Sequence, residues 1–461
     1  MMQRLRLVHS RYVAIIVFAS VIGMGHAEDL IHKGRPPVLM ISVDGMRPDY
    51  VTQADIHKLK IPVLRGFMQG GTYADGVIGV VPTLTFPSHA TLVTGVWPRE
   101  HGIYNNTRFD PFSKNKDEWY WFGADFKVPT LWQAAAGAGI TTASVFWPTT
   151  VNTEGIDYLL PAYPAPTRDY SNLIEALSRP DGYLKTLEKQ VGPFYIFDSG
   201  TAFDEQLTKI SIALIRDKKP GFMTLHLVSL DHYEHLTGPF SPESDAAIEA
   251  LDRMIGELVE AERSNDPQAI VVVVSDHGFA ATHTRVNLLI PFVQAGLIQI
   301  DKTAPRVPTV IFWKATLWNA DGSAYIVLRD PSDEKTLAQV EILLDALQRN
   351  PLYGISRVLT HDQIVSRGGD PEASFLVEWD IGFSCGEALE GDVVKSIPGT
   401  GTHGYLPDRP ELQSSYFALG SGIASHCDIG TMDMRQIAPT VAGFLGVSLP
   451  DAKQPAIHCG P

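Results

Sequence analysis

Short apolar runs rich in β-branched residues punctuate the first 275 positions: Val38 to Val43, Thr142 to Trp147, Phe222 to Leu230 and Ala269 to Ser275. Runs of this length and texture predict buried strands of a mostly parallel sheet. Helical periodicity alternates with them. It is clearest after Ser244, where Ile248, Leu251, Ile255 and Leu258 recur at three- and four-residue spacing, and it also fits Leu131 to Ala138 and Glu205 to Lys218. Strand and helix in alternation predict an α/β fold, a doubly wound, mostly parallel sheet with helices on both faces.

The texture changes between residues 302 and 395. A hairpin-like stretch from Val310 to Leu328 precedes a helix at Glu334 to Arg349, with Leu337, Val340, Leu344 and Leu347 on one face. This reads as an inserted α+β subdomain. Residues 28–301 and 396–461 then form two parts of one core, closed by a helix near Arg435 to Leu445 that Gly446 stops.

The N-terminal stretch stands apart. Arg4, Arg6 and Arg11 precede an apolar run from Tyr12 to Met24 that ends at Gly25-His26-Ala27, the pattern of a secretory signal peptide over 1–27. An uncleaved anchor is the alternative; with cleavage no stable membrane span is expected, and the protein is periplasmic or secreted. The 461 residues carry 37 Lys plus Arg and 52 Asp plus Glu. Removing the three arginines of the leader leaves 34 against 52, a formal charge of −18, which argues against tracking a nucleic-acid duplex by general electrostatics. The three cysteines, Cys385, Cys427 and Cys459, allow at most one internal bridge; Cys427 with Cys459 and three buried thiols are both open.

Candidate chemistry gathers at the ends of the expected strands. Three of them run into an aspartate, Asp44, Asp231 and Asp276, and in open α/β sheets that edge carries the active site. Histidines accompany them: His235 after Asp231, His277 after Asp276, and His403 within Gly401-Thr402-His403-Gly404. Asp and His together suit Zn²⁺, and the set is large enough for two ions. Thr85 stands two residues before Pro87, so it falls near the start of a helix, where free N–H groups favour an anion. A metal ion can activate its hydroxyl as a nucleophile.

Asp44-Gly45, Thr85-Phe86-Pro87-Ser88-His89, Asp231 with His235, Ser275-Asp276-His277-Gly278 and Thr402-His403-Gly404 resemble, in order, the motifs of the alkaline phosphatase superfamily. Within it they are most similar to the nucleotide pyrophosphatase/phosphodiesterase family. The likeness extends through Val93-Thr94-Gly95, His101-Gly102-Ile103 and Phe146-Trp147-Pro148. It implies an alkaline phosphatase-like fold and two Zn²⁺ ions, one held by Asp231, His235 and His403, the other by Asp44, Thr85, Asp276 and His277. It also implies a phospho-threonine intermediate on Thr85, with Asn106 and the Phe86 N–H near the phosphoryl oxygens. The implied substrate is a small phosphodiester or nucleotide; the oligomeric state is not implied.

Two departures bear on specificity. His226 stands where the family commonly has tyrosine, and either packs or meets substrate; Ser88 stands where asparagine is more frequent. Phe86 is a base-stacking platform or a filler of the helix–sheet interface. The aromatic residues Phe109, Trp119, Tyr120, Trp121 and Phe122, and those from Tyr158 to Tyr170, line a leaving-group pocket or form core. A phosphomonoesterase or phosphonate hydrolase uses the same metals and threonine, and a zinc-stabilised binding protein is the non-enzymatic alternative. A sulfatase is disfavoured, because threonine at 85 cannot yield the formylglycine that branch requires.

Overall fold

The computed structural model describes residues 35–115, 118–163, 171–194, 200–301 and 308–459. The expected leader at 1–27 lies outside them, as do 302–307 of the expected insertion and 164–170 of the aromatic stretch.

The sheet strands are β1 (Val38–Val43), β2 (Thr72–Tyr73), β3 (Thr142–Val145), β4 (Tyr158–Leu160), β5 (Phe222–Leu227), β6 (Ile270–Val274), β7 (Tyr416–Leu419) and β8 (Cys427–Asp428). They form one sheet in the order β8-β2-β7-β6-β1-β5-β3-β4. From β6 to β4 every pair is parallel, and β7 runs antiparallel against β6 and β2. Strand alternation divides the core in two. Leu39, Ile41, Val43, Val271 and Val273 pack with Phe203, Leu207, Ile248 and Leu251 on one face. Val38, Met40, Ile270, Val272 and Val274 pack with Leu131, Trp132, Ile437 and Val441 on the other. Both faces are therefore covered by helices, as the near-continuous apolar strands require.

Five helices matter below: α1 (Thr85–Thr94), α2 (Thr201–Lys218), α3 (Ser229–Thr237), α4 (Pro242–Asn265) and α5 (Ile437–Leu445). Ser241 caps α4 by accepting from the Ser244 N–H, and Gly446 stops α5 in the left-handed conformation at φ 63°. Two strands are shorter than their apolar runs suggest. The run Phe222 to Leu230 leaves the sheet at Leu227, because the buried Asp204 carboxylate of α2 accepts from the Val228 and Ser229 N–H groups and starts α3 there. The run Thr142 to Trp147 ends at Val145, where Phe146 turns the chain at φ 55°.

Within 302–395, Ala315–Ala320 and Ser323–Leu328 form a hairpin inside a four-stranded antiparallel sheet with Ile355–Thr360 and Phe375–Trp379. The helix Glu334–Gln348 buries Val340, Leu344 and Leu347. Thr309–Trp313 pairs instead with Ile298–Asp301, so the hairpin is shorter than its apolar texture suggested. Gly382–Gly386 and Val394–Thr402 both pair with Ala280–Asn287. Cys427 and Cys459 are disulfide-bonded, tying the C-terminal tail to the sheet edge, and Cys385 is a buried thiol. Among the described residues no helix is long and apolar enough to cross a membrane.

Glu262 of α4 offers a check on this packing. It is 3% exposed, its Oε2 has no hydrogen-bond partner, and burial followed by the nearby Asp266 pushes its carboxyl from 4.5 up to about 7. An acid raised in this way keeps its full stability contribution below pH 4.5 and loses it as the pH climbs through about 7. Glu262→Gln should therefore match the native protein in unfolding free energy, measured by urea titration, at pH 4 and exceed it at pH 8 by about 3 kcal/mol.

Candidate metal and catalytic site

β1 lies between β5 and β6, with Val43 opposite Leu227 and Ser42 opposite Val274. Three parallel strands thus end on one edge. Asp44 follows β1 directly, and Asp276 follows β6 after Ser275. Asp231 does not end its strand; it sits in the first turn of α3, one turn before His235 on the same helix face. Gly45, at φ 76°, lets the chain turn here: a Cβ would stand 2.7 Å from Glu234 Oε2. Its N–H donates to Asp276 Oδ1 at 3.2 Å, which ties the first aspartate segment to the third.

His403 arrives from the far end of the sequence. Thr402 pairs with Ala280, four residues after Asp276, and this register lays the His403 ring on the His277 ring at 3.7 Å and 8°. Gly404, at φ 82°, permits the approach of the Ala320 carbonyl, which would meet a Cβ at 1.8 Å.

The three histidines share one arrangement. His235 Nδ1 lies 3.2 Å from the Gly401 carbonyl, His277 Nδ1 3.1 Å from the Gly278 carbonyl and His403 Nδ1 2.9 Å from the Thr83 carbonyl. A carbonyl only accepts, so each Nδ1 carries a proton and, in the neutral ring, each Nε2 presents a lone pair. Those lone pairs face carboxylates. His277 Nε2 is 3.3 Å from both Asp44 Oδ1 and Asp276 Oδ2; Asp231 Oδ1 is 3.4 Å from His235 Nε2 and 3.7 Å from His403 Nε2. Asp44 Oδ1, Asp231 Oδ1 and Asp276 Oδ2 are buried without a hydrogen-bond donor. Lone pair against lone pair is unfavourable unless a cation lies between them, and Nδ1 tied to a carbonyl is the usual outer support of a ligating imidazole. These donors fit divalent cations.

The electrostatics agree. Burial, then Asp231, raises the Asp44 carboxyl well above its usual range; burial, then Asp44, does the same to Asp276. Burial holds His277 and His403 below theirs. Asp44, Asp276 and His277 form one compact group, and Asp231, His277 and His403 another. His277 borders both, and His235, more exposed at 38%, joins through Asp231.

Thr85 opens α1 behind an extended Leu84, and its Oγ1 lies 3.4 Å from His277 Nε2, within the first group. The Phe86 N–H donates to Asn106 Oδ1 at 2.9 Å. It is therefore engaged by Asn106 rather than facing a phosphoryl oxygen, and this bond fixes the amide so that Nδ2 is the group left to donate. Asn106 is itself placed by its neighbour: Asn105 Oδ1 accepts from the Asn106 N–H, and Asn105 Nδ2 donates to the Asn319 carbonyl in the four-stranded antiparallel sheet of 315–379, the second sheet of the fold.

Phe86 is 4% exposed and packs edge-on against Trp119 at 5.2 Å and Trp121 at 5.5 Å, while the two indoles stack and Trp121 meets Tyr163. Half-buried Trp119, Trp121 and Tyr163 are the accessible part of this wall. Tyr120 and Phe109 pack inward with Trp318.

Two residues of the site carried weaker signals in the sequence. His226 Nε2 is 3.0 Å from Asp44 Oδ2, and its ring meets that of His89 at 4.2 Å. His89, one helical turn after Thr85, has Nδ1 2.8 Å from the Thr85 carbonyl. The i, i+4 spacing within the Thr85-to-His89 motif was its only sign. Asp204, which starts α3, had no local signal.

A family model described as type I phosphodiesterase/nucleotide pyrophosphatase matches residues 38–350. Human ectonucleotide pyrophosphatase/phosphodiesterase family member 1 is 29% identical over 53% of this chain and 23% of its own length. A Schizosaccharomyces pombe protein named as an uncharacterized pyrophosphatase/phosphodiesterase is 27% identical over 53% of this chain and 45% of its own. The chain thus matches less than half the length of these curated relatives. Murine ectonucleotide pyrophosphatase/phosphodiesterase 5, solved as an inactive variant in complex with AMP, superposes with a TM-score of 0.63 at 20% identity, covering 92% of this chain and 97% of that one. That likeness shows the shared fold.

Metal-free protein titrated with Zn²⁺ should gain stability, about 2.7 kcal/mol for each site at a hundredfold excess over its Kd. Asp276→Asn should lose most of that gain in calorimetry, since it removes the charge of a carboxylate facing His277.

Proposed function

The chain belongs to the type I phosphodiesterase/nucleotide pyrophosphatase family, and on that footing we propose that it is an exported hydrolase of phosphodiester or phosphoanhydride bonds in small, nucleotide-like substrates, working through a covalent phospho-threonine on Thr85. One Zn²⁺ is assigned to Asp231, His235 and His403, the other to Asp44, Thr85, Asp276 and His277. The observation that carries this reading is the set of three imidazoles with Nδ1 tied to carbonyls and Nε2 turned on carboxylate oxygens that have no donor. A structural zinc site is closed by four protein ligands, commonly with cysteine, whereas three ligands from Asp231, His235 and His403 leave a position open. Export is supported by the Cys427–Cys459 bridge, which persists in oxidising compartments.

Bound there, the cations would favour the deprotonated Thr85 hydroxyl, supply an activated water and offset charge on the phosphoryl and leaving oxygens. The chain's own groups do the rest. Thr85, at the start of α1, attacks phosphorus where the helix dipole favours the phosphoryl group. Asn106, its carbonyl held by the Phe86 N–H, offers Nδ2 to a nonbridging oxygen. Trp119, Trp121 and Tyr163, with Phe86 beneath them, give the organic substituent an aromatic surface. Departure of the alcohol leaves phospho-Thr85, and water entering from the vacated side releases the product with net retention at phosphorus.

The test compares bis(p-nitrophenyl) phosphate, p-nitrophenyl thymidine monophosphate and p-nitrophenyl phosphate as substrates of the zinc-loaded protein. Both diesters should outrun the monoester, the thymidine diester most of all, with loss of activity on EDTA treatment. Thr85→Ala should lower kcat roughly 10³-fold or more, and Asn106→Ala on the order of 10²-fold. A faster monoester would overturn the diesterase assignment, and bound zinc without any turnover would favour a binding protein.

A further inference from the structure

His89, His226 and Asp276 form a third compact, fully buried group behind the site. It has the composition of a further cation site, yet its hydrogen bonds argue otherwise. His89 Nδ1 lies 2.8 Å from the Thr85 carbonyl and so carries a proton donated there. His226 Nε2 lies 3.0 Å from Asp44 Oδ2, and a carboxylate ionised for metal binding only accepts, so this nitrogen also carries a proton. A protonated nitrogen is no ligand, and the His89 nitrogen that faces Asp276, 3.5 Å from Oδ2, is this protonated Nδ1. Both side chains point donors at the groups around the reacting centre.

From this we infer that His226 is a positioning residue for Asp44. Its bond engages Oδ2, which leaves Oδ1, without a donor and 3.3 Å from His277 Nε2, as the one oxygen free to bind a cation. The carboxylate is thereby fixed as a one-oxygen ligand and kept from rotating toward Asp231. The His226 ring is itself held. Phe146, turned at φ 55°, sets its ring parallel to the imidazole at 6.3 Å, and His89 closes the remaining side; the Phe146 carbonyl, 3.3 Å from Nδ1, is the more distant and uncharged acceptor, so the single proton of the neutral ring stays on Nε2 against Asp44. The inference rests on the metal reading above, and gives a role to the position where this sequence departs from the family's usual tyrosine.

The experiment reads metal rather than turnover. Native protein, His226→Phe and His226→Gln are loaded with Zn²⁺, checked for ion content by mass spectrometry, and transferred to a colorimetric chelator while zinc release is followed. Phe keeps a ring and removes the donor; Gln places an amide N–H at about the reach of Nε2. The native protein should hold two ions. His226→Phe should weaken one of them about 10- to 100-fold, and His226→Gln should restore it to within a few-fold. Circular dichroism of the metal-free proteins checks folding. Should His226→Phe fail to fold, His226→Asn, whose amide is too short to reach Oδ2, takes its place, with the same weakening expected against the Gln variant. Native protein with two ions and a donor-less variant that releases both at the native rate would overturn this inference alone. Equal weakening in the Gln variant would also overturn it, because ring packing rather than the donor would then matter. Native protein that takes up no divalent cation would overturn the metal reading and this inference with it.

Discussion

Asp44, Asp231 and Asp276 are held within a few ångströms of imidazole nitrogens that carry no proton, and much of the surrounding structure serves to keep them there. Such a group does not assemble for its own stability. Like charges 4 Å apart repel by about 4 kcal/mol at an effective dielectric of 20, more than an ordinary hydrogen bond returns. Burial adds to the cost, and it is the leading cause of the raised Asp44 and Asp276 carboxyls. The arrangement makes sense as one half of an interaction whose other half is positive.

Holding it open falls to rigid elements. The parallel register of β1 with β5 and β6 is set by apolar packing on both faces, so the edge carrying Asp44 and Asp276 cannot slip without turning Leu39, Ile41 and Val43 away from their core. The third aspartate depends on a cap instead. Asp204, itself buried and pushed up to about 6 chiefly by burial, engages the first N–H groups of α3, and so sets where Asp231 and His235 point. The site thus stands on sheet, helix and cap together, and each is far from its partner in sequence.

That distribution explains how much the chain disclosed. The doubly wound sheet was legible, because strands buried on both faces leave apolar runs, and the alternation of β1 and β6 side chains between two cores accounts for them. The residues Asp44, Thr85, Asp231, Asp276, His277 and His403 were legible as a set from their types and order, and the fold brings them together. The strand ends were not. Apolar character continues through Leu230 and Trp147, while the backbone leaves the sheet at Leu227 and Val145 for reasons that lie in Asp204 and in the Phe146 turn. Nor did any spacing announce that Phe86 N–H would be taken by Asn106, since that bond depends on a loop fixed by the second sheet.

The second sheet deserves weight for the same reason. Its buried Glu378 receives Arg409 at 3.1 Å and the Leu406 N–H at 3.0 Å, with Arg357 on its other oxygen, so a charged cluster clamps the chain three residues beyond His403. Gly322 N–H holds the His403 carbonyl, and Asn319 holds Asn105. A single antiparallel sheet therefore steadies both the histidine stacked on His277 and the loop that presents Asn106. The residues of 315–378 need not touch a substrate to influence it. They fix the separation of the His403 imidazole from the Asn106 amide, and under the proposed function that separation would set the room for a phosphoryl group, so that variation in this sheet would tune specificity while the three aspartates stay where the central sheet puts them.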